Sequence, residues 1–143
     1  MTCILAIEAN KLDDIVVVNE SVLSSYGSGI YISVGEEIKL IDLLYGLMLR
    51  SGNDAALMIA DYVGGDVDNF VVMMNKKARE VGMKNTKFVN PSGLDKNGIG
   101  NYSTSYDMAL LTRYAMQNDI YREIVKTKSL SLIHISEPTR RRG

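Results

Sequence analysis

Ile41-Asp42-Leu43-Leu44-Tyr45-Gly46-Leu47-Met48-Leu49-Arg50-Ser51-Gly52-Asn53-Asp54-Ala55-Ala56 is the stretch on which the reading of this chain turns. Before Arg50, the residues Ile38, Ile41, Leu44, Tyr45 and Met48 recur at spacings of three and four, which gives one apolar helical face. The period breaks at Ser51-Gly52-Asn53-Asp54 and resumes through residues 55–60, ending at Gly64-Gly65. Two helices therefore meet at a short polar junction. The second is apolar nearly all round, which predicts that it is buried.

Upstream of this pair, residues 2–9 are apolar and compatible with a helix, but no capping residue precedes them. A helix start carries Ser, Thr, Asp or Asn just before the apolar run, so the native chain is expected to begin earlier than Met1. Ile15-Val16-Val17-Val18 is a β-branched run that predicts a strand. Ser24, Ser25, Gly27, Ser28 and Gly29 mark a loop, Ile30-Tyr31-Ile32 a second short strand, and Gly35-Glu36-Glu37 its end.

Downstream, Asp66 is placed to cap a helix through Phe70, Met73, Met74, Ala78 and Val81, with Gly82 as its stop. Lys76, Lys77, Arg79 and Glu80 read as its solvated face. Residues 85–100 are rich in turn formers and contain Asn90-Pro91-Ser92-Gly93-Leu94. Thr104 with Asp107 resembles a capping box that opens a helix through Met108, Leu111, Tyr114 and Ala115. A shorter helical piece follows at residues 120–125. The string from Leu130 to Gly143 has no cap and no continuing period, and it ends in a basic run. It resembles translated read-through of a sequencing adapter. Residues 1–129 are therefore read as a native fragment and 130–143 as a non-native tail.

Composition narrows the function classes. Of 143 residues, 46% are hydrophobic and 23% charged, the balance of a globular domain with a core. A net charge of −1 argues against nucleic acid as a partner. One cysteine excludes an internal disulfide framework, and one histidine excludes a multi-histidine metal site. The longest uncharged apolar run is too short to span a bilayer, and the first residues show no basic, signal-like start. Cys3, on an apolar segment, reads as a packing thiol.

Chemistry concentrates at Ser51-Gly52-Asn53. Such a triplet arises by chance about once in a chain with these numbers of serine and asparagine. Its position between two apolar helices is more telling, because polar side chains there are expected to be partly buried and to need partners. The structural alternative is a cap, with Ser51 or Asn53 satisfying free N–H groups of the helix that starts near Asp54.

The run from Ile41 to Ala56 resembles the second motif region of the D-alanyl-D-alanine carboxypeptidases, the low-molecular-mass penicillin-binding proteins of the serine peptidase type. The resemblance continues in order through Phe70, Met74-Asn75, Lys77-Ala78, Gly82, Asn85-Thr86, Phe88, Asn90-Pro91-Ser92-Gly93-Leu94, Tyr102-Ser103-Thr104 and Asp107. It implies a mixed α/β fold of the β-lactamase and transpeptidase type, here mainly its helical part with two or three short strands. It also implies a motif set of Ser-x-x-Lys, Ser-x-Asn and Lys-Thr-Gly. A serine hydroxyl is a weak nucleophile until a base takes its proton. In this family the lysine one helical turn later does so. By resemblance Ser51 relays a proton to the leaving group, and Asn53 orients the lysine and holds a substrate carbonyl. Both are therefore the candidate catalytic residues, and Asn53 is the candidate substrate-binding residue.

The sequence departs from the pattern at two of its three motifs. No serine here has lysine three positions later, and Lys126-Thr127-Lys128 imitates the third motif without its glycine. It reads as a strand edge entering the tail. The resemblance implies a parent that trims peptidoglycan stem peptides ending in D-Ala-D-Ala through an acyl-enzyme. That parent would be acylated by β-lactams and would act outside the cytoplasmic membrane with no metal or organic cofactor. The polypeptide as written is expected to be inactive. A serine β-lactamase of the same fold and a non-catalytic helical module are the alternatives.

Overall fold

The structure, a computed structural model, describes residues 1–128. The boundary read at residue 130 and the histidine at 134 lie outside the described residues. The elements are α1 (Thr2–Glu8), β1 (Ile15–Val17), a 3-10 turn (Glu20–Ser24), β2 (Glu37–Lys39), α2 (Leu40–Arg50), α3 (Asn53–Gly64), α4 (Val67–Val81), α5 (Ser105–Met116) and α6 (Asp119–Lys126). This is the mixed helical and two-stranded arrangement expected.

The hydrophobic pattern accounts for the layout. In α3, Ala55, Ala56, Met58, Ile59 and Ala60 are all buried. The small side chains of Ala55, Ala56 and Ala60 let α1, α2 and α4 pack close around this one helix. The predicted caps form: Asp66 accepts from the Asn69 N–H at 2.6 Å, and Thr104 from the Asp107 N–H at 3.0 Å. Gly82 ends α4 at φ 94°, a left-handed conformation that needs no Cβ clearance when the residue is glycine.

The strands depart from expectation in one respect. β1 pairs antiparallel with β2, setting Val16 opposite Ile38. Both point inward and are essentially inaccessible, while Ile15 and Val17 face out. Ile38 thus belongs to a strand and not to the stripe of α2. Residues 30–32, expected to be a strand, pair with no strand among the described residues. Tyr31 has φ 60°, which breaks the extended geometry. The flanking N–H groups of Ile30 and Ile32 donate to the Asp54 carboxylate.

Charges and thiol also find their places. Lys77 is not on a solvated face: its ammonium lies 2.9 Å from Glu8 and 3.2 Å from the Tyr114 hydroxyl, joining α1, α4 and α5. Burial lowers its pKa, but the hydrogen bonds to Glu8 and Tyr114 outweigh that and hold it above the ordinary lysine value. Lys126-Thr127-Lys128 is not a strand edge. Lys126 closes α6, and Thr127 caps it, its hydroxyl donating to the Glu123 carbonyl at 2.8 Å.

Residues 83–104 contain no helix and are fixed by two isolated antiparallel bridges, Lys87 with Tyr102 and Lys96 with Ile99, and by side chains. Asn75, on α4, accepts from the Phe88 N–H and donates to the Phe88 carbonyl, each at 2.8 Å. Asp107, 2% exposed, accepts from the Asn85 N–H at 2.8 Å and the Thr86 hydroxyl at 2.7 Å. Asn101 accepts from the Val89 and Asn90 N–H groups. Asn90 in turn accepts from the Gly93 N–H at 2.7 Å and donates to the Leu94 carbonyl at 2.8 Å. The Thr2 hydroxyl donates to the Pro91 carbonyl at 2.7 Å, tying the start of α1 to this turn.

Candidate active site

The junction of α2 and α3 is built by a reversal of backbone handedness. Helix α2 stops because Ser51 adopts the left-handed conformation (φ 50°, ψ 43°), and the Gly52 N–H then turns back to the Gly46 carbonyl at 3.3 Å. A serine in that region carries backbone strain of the kind concentrated at functional sites.

Helix α3 starts with Gly52 as its N-cap residue, and no side chain caps it there. The capping alternative therefore fails. Two other groups meet the free N–H donors: the Ser28 carbonyl takes the Asn53 N–H at 2.9 Å, and the Asp54 carboxylate takes the Ala55 N–H at 2.9 Å.

The two motif side chains part company. Ser51 is exposed, and among the described residues its hydroxyl has no hydrogen-bond partner; only its carbonyl is engaged, by the Ser28 hydroxyl at 2.6 Å. Asn53 is 9% exposed and its Nδ2 donates to the Tyr26 carbonyl at 2.8 Å. Partial burial was expected of both and holds for Asn53 alone. A serine in the left-handed position at a helix end projects from the packed layer, whereas the first residue of α3 turns into it.

Each faces a depression. Ser51 lines a cleft of about 440 Å³ together with Met1, Thr2, Cys3, Ser92 and Met108. Asn53 lines a smaller one of about 160 Å³ with Tyr26, Ser92 and Lys96. Ser92, which the sequence marks only as part of a turn, borders both. Cys3 is buried, as expected. Burial pushes its thiol up to about 11, so it stays protonated and unsuited to attack. Among the described residues there is no cluster of three His, Cys, Asp or Glu able to hold a metal.

Residues 1–137 match the D-alanyl-D-alanine carboxypeptidase family. The chain belongs to this family. The D-alanyl-D-alanine carboxypeptidase DacF of Bacillus subtilis is 40% identical over 131 residues, covering 88% of this chain and 32% of the relative. The crystal structure of a D-alanyl-D-alanine carboxypeptidase from Mycobacterium tuberculosis H37Rv superimposes with a TM-score of 0.81 at 32% identity, over 86% of this chain and 46% of that one. Penicillin binding protein 6B of Escherichia coli gives 0.80 at 29% identity, over 91% and 45%.

The chain thus spans about a third of the length of the curated relative and just under half of the solved chains. The family match ends inside the stretch that the sequence reading sets apart as a tail. Within this carboxypeptidase-family chain, several of the residues that carried the resemblance beyond Asn53 pin the 83–104 segment: Asn75, Asn85-Thr86, Asn90 and Asp107. Sequence reasoning passed over one residue at the junction itself. Asp54 is 6% exposed and holds three backbone N–H groups. The signal was a carboxylate at the head of a helix otherwise predicted to be wholly buried.

Proposed function

We propose that this chain supplies the Ser-x-Asn wall of a serine-type D-Ala-D-Ala carboxypeptidase that acts outside the cytoplasmic membrane. The substrate is a peptidoglycan stem peptide ending in D-Ala-D-Ala, processed through an acyl-enzyme, and penicillins acylate the same nucleophile. Ser51 carries a proton between a lysine base and the leaving group. Asn53 keeps one Nδ2 proton on the Tyr26 carbonyl, while its Oδ1 accepts from the lysine and its second Nδ2 proton holds a substrate carbonyl. No metal or organic cofactor takes part. The observation that carries this reading is the Ser51 hydroxyl, exposed in a left-handed turn and lining the same cleft as the first turn of α1.

The 143 residues hold neither Ser-x-x-Lys nor Lys-Thr-Gly. By themselves they therefore lack both the nucleophile with its base and the third motif, and the chain alone is inactive. Incubation with a fluorescent penicillin is expected to give no covalent label on this chain. A chimera in which residues 1–128 replace the matching stretch of the Bacillus subtilis relative is expected to label. In that chimera Asn53→Ala slows acylation by on the order of 10²-fold, the cost of losing one oriented polar contact to the reacting group. Labelling of the isolated chain refutes its inactivity, and an unchanged rate in the Asn53→Ala chimera removes Asn53 from the site.

A further inference from the structure

The segment of residues 26–32 lies along the α2–α3 junction as a strap, and five hydrogen bonds stitch it down. Asn53 donates through its backbone N–H to Ser28 (2.9 Å) and through its Nδ2 to Tyr26 (2.8 Å). The Ser28 hydroxyl donates to the Ser51 carbonyl at 2.6 Å. The remaining two run to one carboxylate: Ile30 N–H to Asp54 Oδ1 at 3.0 Å and Ile32 N–H to Oδ2 at 3.2 Å.

Several features single out this carboxylate. It is buried, and an anion accepting several backbone N–H bonds in such surroundings is held strongly and in one orientation. The residue between its two donors, Tyr31, is left-handed, so the strap is kept in a conformation its own sequence disfavours. The backbone also comes unusually near. A Cβ at Gly29 would sit 3.1 Å from Asp54 Oδ1, tighter than ordinary contact. Asp54 lines neither of the two clefts at the junction and takes no part in the chemistry proposed above.

We propose that Asp54 is a positioning residue: by clamping the 26–32 strap it fixes the Ser51 carbonyl and the Asn53 side chain, and so sets the geometry of the Ser-x-Asn wall. The inference rests on the proposed function for its catalytic consequence, but its structural part stands by itself. Asp54→Asn keeps the shape and turns one acceptor into a donor that faces a backbone N–H. Gly29→Ala leaves the carboxylate intact and presses the strap off it from the other side.

The first measurement is nuclear magnetic resonance of the isotopically labelled 143-residue chain. Both variants are expected to speed exchange of the Ile30 and Ile32 amides at least tenfold and to shift the Asn53 side-chain amide pair, while the methyl signals of Ile59 and Leu44 stay in place. Should Asp54→Asn fail to fold, Gly29→Ala decides. The second measurement uses the chimera. Asp54→Asn is expected to lower the acylation rate at saturating penicillin about tenfold with little change in the half-saturating concentration, a split that general loss of folded protein does not produce. An unmoved Asn53 amide pair in the folded variants overturns the proposal, as does an unchanged acylation rate in a labelling-competent chimera. A chimera that never labels counts against the proposed function instead, and the resonance shifts still judge the clamp.

Discussion

Helix α3 with its neighbours and the irregular segment of residues 83–104 sit side by side, yet they are held by different forces. Around α3 the side chains are apolar and closely packed, so the stabilisation follows from area removed from water and has no direction. In the 83–104 segment the backbone pairs with itself only at two isolated antiparallel bridges, Lys87 with Tyr102 and Lys96 with Ile99, and Asn75, Asn90, Asn101 and Asp107 meet further backbone groups one by one. The first region tolerates a change of shape better than a loss of volume. The second tolerates neither loss nor exchange of donor and acceptor, because each pin has one geometry. The Ser51–Asp54 junction lies between the two regimes: apolar on both flanks, and directional at its centre.

The comparison can be pushed hardest in the apolar layer. Phe70, fully buried, faces Gly64 at the turn from α3 to α4. Phe70→Ala is expected to lower stability by about 4 kcal/mol, the sum of lost transfer energy and a cavity, whereas Ile59→Val costs only about 1 kcal/mol. Urea unfolding checks both. Equal costs would mean that the layer is not held by volume.

Asn75 probes the other regime. Asn75→Leu keeps the branching at Cγ but strands the Phe88 N–H and carbonyl, and is expected to cost about 2 kcal/mol. Asn75→Asp recovers only the bond from the Phe88 N–H. If Leu is as stable as Asn, the directional account of this segment is wrong.

The smallest effect has the opposite sign. Ser51→Gly relieves the left-handed strain and is expected to raise stability by about 1 kcal/mol, less the added freedom glycine gives the unfolded chain. A higher urea midpoint in this variant would show that the left-handed conformation at the junction is strained. A lower midpoint would show that the conformation is not strained.

Much of this was legible in the chain. Asp66, Gly82 and Thr104 announced their helix boundaries, because a cap is a local arrangement of one side chain and nearby N–H groups. The β-branched run at Ile15 announced β1. The misreading of residues 30–32 has a physical cause. Ile-Tyr-Ile looks like a strand by propensity, but whether its N–H groups meet another strand or a carboxylate depends on a residue 22 positions away. Lys77 was missed for the same reason: its partner Glu8 comes from another helix.

The sequence by itself determined where the helices start and stop, which faces they bury, and the order of motif residues that marks the family. Those follow from periodicity and from short-range chemistry. The tertiary structure alone decided that Ser51 faces the larger cleft while Asn53 turns to the strap, and that Asp54 holds that strap. Such pairings are set by long-range hydrogen bonds in a buried place, where an unmet polar group costs more than local preference can offset.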